Sequence, residues 1–510
     1  MDKNQLAAHR GERIHFIGIG GSSMRGLARL VRGQGYEISG SDRVASHATE
    51  ALTALGVPVT IGHFDGNVHG AGFIVYTAAI SKDNPELLEA ERLKIPTIER
   101  AELLGQLSSH FSRSVSVCGT HGKTTATSML AVILADSGLD PTIHIGGELD
   151  YIGGSVRSGK GDLFLTEACE FQESFLTLHP SLVLLLNIDA DHLDYYKDIF
   201  HIESAFLKFL SQVRENGTVV LCADNARALA MRGRVACKTL SYGLDAPADY
   251  AAADLEPDET LCYSVTALEG GKPLGRVRLR VPGRLNALNA LGAIASARVL
   301  GLSMDEIAPA LEKFGGAHRR FEHTGDVEGV TLYHDYGHNP EEFRSVVPLA
   351  AARAKGKLYV VCQPHTYSRT KALFSDYLTA FDGADEVLVT DIYAAREKDP
   401  GDIHSRQLVD AMQKKGVPAV YTKDFDGTEG YLRAHWQPGD FVITLGCGNI
   451  NLLNEQIQKH GSAALTIREA KAEDLNALLA LYVHLHESAV PASSPGLSAL
   501  WAQILSDPNH

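Results

Sequence analysis

Short apolar runs of strand character, each closed by a glycine, polar or charged turn and followed by a helical pattern, recur almost from end to end of this chain. That alternation constrains the fold more than any other feature. Strand and helix in turn build α/β domains with mainly parallel sheets and helices on both faces. At 510 residues the chain is too long for a single core, and the runs fall into three blocks. Strands at 14–17, 37–39 and 73–76 form the first, which fades into a polar stretch at 108–113. The second restarts at 114–118 and takes in 163–165, 182–186 and 218–221. The third runs through 358–361, 386–389 and 441–444. Domains are thus expected over residues 1–111, 112–322 and 323–460. In open sheets of this kind, ligands bind at the carboxyl ends of the strands.

Charge narrows the ligands. With 47 Lys and Arg against 62 Asp and Glu, the net charge of -15 disfavours nonspecific binding to nucleic acid or to an anionic membrane. Any anionic ligand must therefore be held by local groups. Seven scattered cysteines suggest neither a zinc module nor a disulfide framework. No stretch reaches the ~20 apolar residues of a membrane span, and residues 1–13 lack the apolar core of a secretion signal, so a cytoplasmic chain is expected.

Two glycine-rich turns carry the chemistry. Residues 118–125, Cys-Gly-Thr-His-Gly-Lys-Thr-Thr, lie between a strand and a helix with apolar positions at Met129, Leu130, Ile133 and Leu134. This is a phosphate-binding loop: Gly119, Thr120, His121, Gly122 and Thr125 supply backbone, Lys123 neutralises phosphate charge, and the Thr124 hydroxyl can face Mg²⁺. It departs from a standard Walker A in having Val117 where that motif has glycine. A second turn, residues 18–26, comes directly after the first strand and suits a diphosphate. Asp42 comes after the next strand, where a nicotinamide dinucleotide domain places an acid on ribose, so an oxidoreductase is a competing reading. Two separate anion cradles nevertheless favour two phosphorylated ligands, ATP and a nucleotide-sugar. Glu167 and Glu170, then Asp189, Asp191, His192 and Asp194, fall at further strand ends; Mg²⁺ prefers oxygen donors and keeps waters, which selects Thr124 with Glu167.

Ordered matches extend well beyond these turns. Residues 119–125, 167–170, 174–176 and 187–194 resemble the central domain of Mur ligases. Residues 14–27, 39–42 and 77–85 resemble the nucleotide-sugar domain of the alanine-adding branch, and 283–290, 318–321, 335–340, 363–370 and 391–397 resemble the remainder. The likeness spans 12–458. It implies a Rossmann-like N-terminal domain, a central P-loop ATPase-like domain and a Rossmann-like C-terminal domain. It also implies ATP-dependent joining of L-alanine to UDP-N-acetylmuramate, with Mg²⁺. By the same resemblance, Gly18, Gly20, Gly21, Ser22, Ser41, Asp42, Thr77 and Ala78 hold the UDP-sugar, and the loop at 119–125 holds ATP. Asn289, Arg320, Asp335, His338 and Asn339 close over ATP, and His365 and Arg369 read the amino acid. Thr124, Glu167 and His192 organise metal, and the catalytic set is Lys123, Glu167, His192, Arg320 and Asp335. His192 as a Mg²⁺ ligand is inherited from the family and not suggested by its chemistry.

Three departures stand out: Leu285 for a histidine, Thr366 for a frequent arginine, and Gly-Cys-Gly-Asn at 446–449 for the commoner Gly-Ala-Gly-Asp. A ligase attaching a ready-made tripeptide to the same sugar, or a non-catalytic binding relative, also fits this pattern, and monomer and homodimer are both open. The last segment, 461–510, opens with a strand at 465–470 and a helix from Asp474 to about His486. It resembles the start of a GNAT acetyltransferase, but it contains no glycine-rich pyrophosphate turn, so acetyl transfer is not expected of it.

Overall fold

The computed structural model describes residues 5–192, 195–395 and 397–462, together with 471, 497 and 499–502. Residues through Ile457 form one compact unit and those from Gln458 a second. The strand and helix expected at 465–486 lie outside the described residues.

Three sheets organise the first unit. The first is built from β1 (Arg13–Ile17), β2 (Glu37–Asp42), β3 (Val59–Ile61), β4 (Phe73–Tyr76) and β5 (Thr97–Glu99), in the order β3-β2-β1-β4-β5. All neighbours are parallel. Strand order reverses at β1, and the crevice beside its carboxyl end is where a doubly wound sheet binds ligand; Gly18 is the next residue.

The second sheet comprises β6 (Arg113–Cys118), β7 (Thr142–Leu149), β8 (Gly154–Arg157), β9 (Leu163–Glu167), β10 (Leu182–Leu185), β11 (Thr218–Cys222), β12 (Lys238–Gly243), β13 (Tyr250–Pro257), β14 (Cys262–Glu269) and β15 (Lys272–Pro282). Its order is β15-β14-β13-β12-β11-β10-β6-β9-β7-β8. β6 lies between β9 and β10, so the phosphate loop is flanked by Glu167 on one side and the segment after Leu185 on the other. Every residue of β10 is buried, as a strand covered on both faces by helices requires.

The third sheet holds β16 (Glu322–Val327), β17 (Val330–Asp335), β18 (Leu358–Cys362), β19 (Glu386–Thr390), β20 (Ala419–Lys423) and β21 (Phe441–Leu445), ordered β16-β17-β21-β18-β19-β20. The sheets are mainly parallel, as expected, with antiparallel additions at their edges, β7–β8, β13–β14–β15 and β16–β17. In β14 and β15 buried residues are interrupted by half-buried and exposed ones, so these strands lack the continuous apolar signal of the central strands.

One apolar cluster runs from Ile14 through Val117, Leu184 and Ile294 to Phe314, joining the first two sheets. The third sheet has its own clusters on its two faces, around Val360 and Ile443 and around Val361 and Val442. Polar side chains carried beside it reach the phosphate loop, Arg320 to Thr124 and Glu342 to His121 among them.

Candidate active site

At the first cradle the chain leaves β1 through Gly18, at φ +81, a left-handed conformation that favours glycine. The Gly18 and Ile19 N–H groups donate to Ser41 O at 2.8 and 3.0 Å, and Gly20 N–H donates to Asp42 Oδ2 at 2.9 Å. A Cβ on Gly20 would come within 2.8 Å of that carboxylate oxygen. Helix Ser22–Gly33 then begins with no side-chain cap and no acid in its first turn, leaving its first amides and positive dipole end to an anion. The Thr77–Ile80 turn packs over Gly18, with Thr77 Cγ2 3.3 Å from where a Cβ would stand. Two residues assigned to the UDP-sugar have structural work here. Asp42 braces the turn, and the Ser41 hydroxyl donates to buried Glu86 at 2.8 Å, beside His63.

In the second cradle the loop is tied to the segment after β10. Thr120 N–H donates to Asn187 O and His121 N–H to Asn187 Oδ1, while the Thr120 hydroxyl bonds around Asp189. Gly122, at φ +80, packs against the buried Asn289 amide. The Lys123 ammonium donates to Gly119 O (2.6 Å), Thr120 O (2.9 Å) and Glu170 Oε1 (2.9 Å). Burial pulls the Lys123 pKa down, yet Glu170 outweighs it and the net shift is upward. Burial likewise pushes Glu170 up, and Lys123 and His192 reverse that. The pair is therefore charged.

Thr124 and Glu167, the expected Mg²⁺ ligands, do meet: the Thr124 hydroxyl donates to Glu167 Oε2 at 3.3 Å. Burial raises the Glu167 pKa despite Gly146 N–H, Lys123 and Arg320. His192 Nε2 lies 3.6 Å from Glu170 Oε1, and its Nδ1 faces Arg369 at 3.5 Å. Among the described residues no three His, Cys, Asp or Glu side chains form a ready-made metal cage. A hydroxyl beside a carboxylate is nonetheless the hard oxygen pair that Mg²⁺ takes along with waters, so these donors fit it.

The third sheet supplies the other wall. Arg320 Nη2 reaches Thr124 Oγ1 at 3.4 Å, and Arg319 and Arg320 both lie against the Tyr336 ring, 4.7 and 5.0 Å from its centroid. Asp335 accepts from Phe321 N–H and Gly337 N–H, and Asn339 caps its helix by accepting from Glu342 N–H. Both shape the turn that carries His338. Arg369 bridges to His365 Nδ1 at 3.3 Å and to Asp191 at 3.8 Å. His365 and His338 have ring centroids 6.0 Å apart.

Glu342 belongs to this wall although the motifs do not single it out. Its carboxylate lies 3.7 Å from His121 Nδ1 in the phosphate loop and 3.5 Å from His338 Nδ1. Burial would raise its pKa, but the two histidines hold it well below the carboxylate range. The sequence signal it did carry was that of a helix-capping glutamate, three residues after Asn339. Left-handed φ values at the non-glycine residues His192, Arg319, Phe321 and Thr366 cluster here as well, as strained backbone does at functional sites.

The departures separate. Leu285 is exposed at the start of helix Arg284–Val299. Thr366, at φ +61, is strained for a β-branched residue and donates its N–H to Tyr393 O. Gly448 O accepts from Arg319, and Asn449 Oδ1 accepts from Gln363.

Fold and site define a nucleotide-using α/β protein in which one phosphate loop is walled by arginines and histidines from a neighbouring sheet. Residues 13–112, 117–297 and 319–448 match the Mur ligase family catalytic domain, the Mur ligase middle domain and the Mur ligase glutamate ligase domain. The chain belongs to the Mur ligase family. It is 45% identical over 455 residues to the UDP-N-acetylmuramate–L-alanine ligase of Acetivibrio thermocellus, covering 89% of this chain and 97% of that protein. Identity to the same-named protein of Caldanaerobacter subterraneus is 44%, covering 87% and 97%. The crystal structure of the UDP-N-acetylmuramate-alanine ligase MurC of Thermotoga maritima superposes with a TM-score of 0.77 at 26% identity, covering 89% of this chain and all of that one. Among the described residues no helix is long and apolar enough to cross a membrane.

Proposed function

We propose that this chain is an ATP-dependent carbon–nitrogen ligase joining L-alanine to the lactyl carboxylate of UDP-N-acetylmuramate, a step in peptidoglycan precursor synthesis. Similarity over nearly the whole length of ligases so named supports the substrates. The carrying observation is the reach of Arg320 and Arg369, from the third wall, to Thr124, Asp191 and His192 around the phosphate loop.

The UDP end would rest on the Gly18 turn and ATP on residues 119–125. A lactyl carboxylate oxygen attacks the γ-phosphorus, the bond to ADP breaks, and an acyl phosphate forms. The alanine amine then attacks the acyl carbon and phosphate leaves. Splitting the reaction replaces a poor leaving group with a good one. Two anions must approach in the first step, so the protein's contribution is chiefly neutralisation by Lys123, Arg320 and the loop amides. Mg²⁺ would be held by Thr124 and Glu167, with His192 as the family's further ligand, and would supply added neutralisation of phosphate oxygens. Burial and then Arg369 lower the His338 pKa, while the Glu342 carboxylate beside it acts to raise it. Docking of the third wall keeps water from the acyl phosphate.

Phosphate release with UDP-N-acetylmuramate and ATP, measured across a panel of amino acids and the ready-made tripeptide with mass spectrometry of the product, tests this. Alanine should be the preferred acceptor. A preference for tripeptide would reassign the reaction, and binding of both nucleotides without phosphate release would make the protein a non-catalytic relative.

A further inference from the structure

Arg100 sits on the seam between the first two sheets. It opens helix Arg100–Ser109, whose first turns are seated on the segment beyond Glu167 and Glu170: Thr177 Oγ1 donates to Ala101 O at 2.8 Å, and a Cβ on Gly105 would run into the Thr177 backbone. The half-buried Arg100 guanidinium donates to Ser23 Oγ at 3.1 Å, in the first turn of the helix that the Gly18 cradle opens. Ser23 lies on the side of that turn facing the second sheet, 3.3 Å from His144 Nε2, and His144 Nδ1 is 3.2 Å from Thr166 Oγ1, one residue before Glu167.

Charge runs along the same line. Burial and then Arg100 push His144 down to about 4, so a neutral imidazole fills the seam. Among the described residues no carboxylate pairs with Arg100; its hydrogen bond goes to a neutral hydroxyl. A half-buried guanidinium so placed has donor capacity left for an anion.

Resting on the ligase reading, we infer that Arg100 binds the carboxylate of the sugar's lactyl arm and holds it between the diphosphate cradle and the phosphate loop. The diphosphate has the unfilled amides of helix Ser22–Gly33 at its disposal. The carboxylate, which must come up to a triphosphate, needs a cation on the loop-facing side of that helix, and Arg100 is there. Its planar fork matches a carboxylate in a two-point contact that a lysine cannot reproduce.

Calorimetric binding of UDP-N-acetylmuramate and of UDP-N-acetylglucosamine, which shares the nucleotide and diphosphate but has no lactyl arm, tests the assignment. Arg100→Met should weaken the muramate by about 30-fold and the glucosamine sugar by no more than about twofold, with Arg100→Lys between wild type and Met for the muramate. Thermal melting checks each variant, and if the Met protein does not fold, the muramate-selective loss in Arg100→Lys decides. Equal losses with both nucleotide-sugars would assign Arg100 to the diphosphate or to the seam alone, and unchanged muramate binding would remove it from the site; either overturns the inference. Phosphate release by the unsubstituted protein, measured in parallel, reports on the ligase reading separately.

Discussion

The two anion cradles are built alike and furnished differently. Both are glycine turns leading from a buried parallel strand into a helix, and neither helix has a side-chain cap. Beyond that they diverge. In the first cradle the turn is braced from its own sheet, through Asp42 and the Ser41 carbonyl. In the second, a charged lysine is locked to Glu170, and residues of another sheet reach in through Arg320 and Glu342. A diphosphate that is only held can be served by backbone amides and a helix dipole. On the proposed reaction, the triphosphate in the second cradle is attacked by a carboxylate and needs full charges that converge as the reaction proceeds.

The hardest test of that contrast is Lys123→Ala, which should lower the rate of phosphate release about 10³-fold. It should also cost about 3 kcal/mol of stability, because Glu170 keeps its buried charge with His192 as its cationic neighbour among the described residues; denaturant melts would read the second effect. Normal turnover in this variant would end the account of the second cradle. Arg369→Ala comes next. It removes the bridge to Asp191 and His365, and should raise KM for alanine about 100-fold with little change in KM for the nucleotide-sugar; a loss confined to the sugar would contradict its place in the third wall.

Gly20→Ala probes the first cradle. The new methyl meets Asp42 Oδ2 and Thr49, so nucleotide-sugar binding should weaken about tenfold while ATP binding is unaffected. Comparable loss of ATP binding would mean that the cradles are not independent. The smallest effect concerns pH. Burial lowers the His121 pKa, but Glu342 more than restores it, and the net shift is above 6.5. The histidine's contribution to stability is therefore complete below about pH 6.5 and is lost as pH rises through its folded value. Glu342, with its lowered pKa, contributes above about 4.5 and is lost only as pH falls well below that. Melting temperature should accordingly decline between pH 6.5 and 8 in the unsubstituted protein and decline less in Glu342→Gln; parallel slopes would show that the contact does not hold the third wall.

Legibility depended on the kind of signal each residue carries. Strands such as 73–76 and 182–185 were readable because a strand buried on both faces must be an unbroken apolar run. The meander β13–β14–β15 was not, since its half-exposed strands mix polar and apolar residues. Lys123, Thr124 and Glu167 could be picked out through glycine spacing and strand ends, and Thr124 and Glu167 meet in the structure. Glu342 and Arg100 could not be picked out, because a capping glutamate and an arginine opening a helix look the same whether or not another domain lies opposite them.

By itself the sequence determined the three α/β blocks, the two cradles and the family, because apolar periodicity and turn chemistry are local properties written in consecutive residues. Only the tertiary structure decided which charges meet. Asp42 turned inward to brace its turn, His192 was set against Glu170 and Arg369, and Glu342 was brought to the phosphate loop. Ion pairs and hydrogen bonds act over a few ångströms in space, and residues as far apart in the chain as Thr124 and Arg320 come within that range only when separate sheets dock.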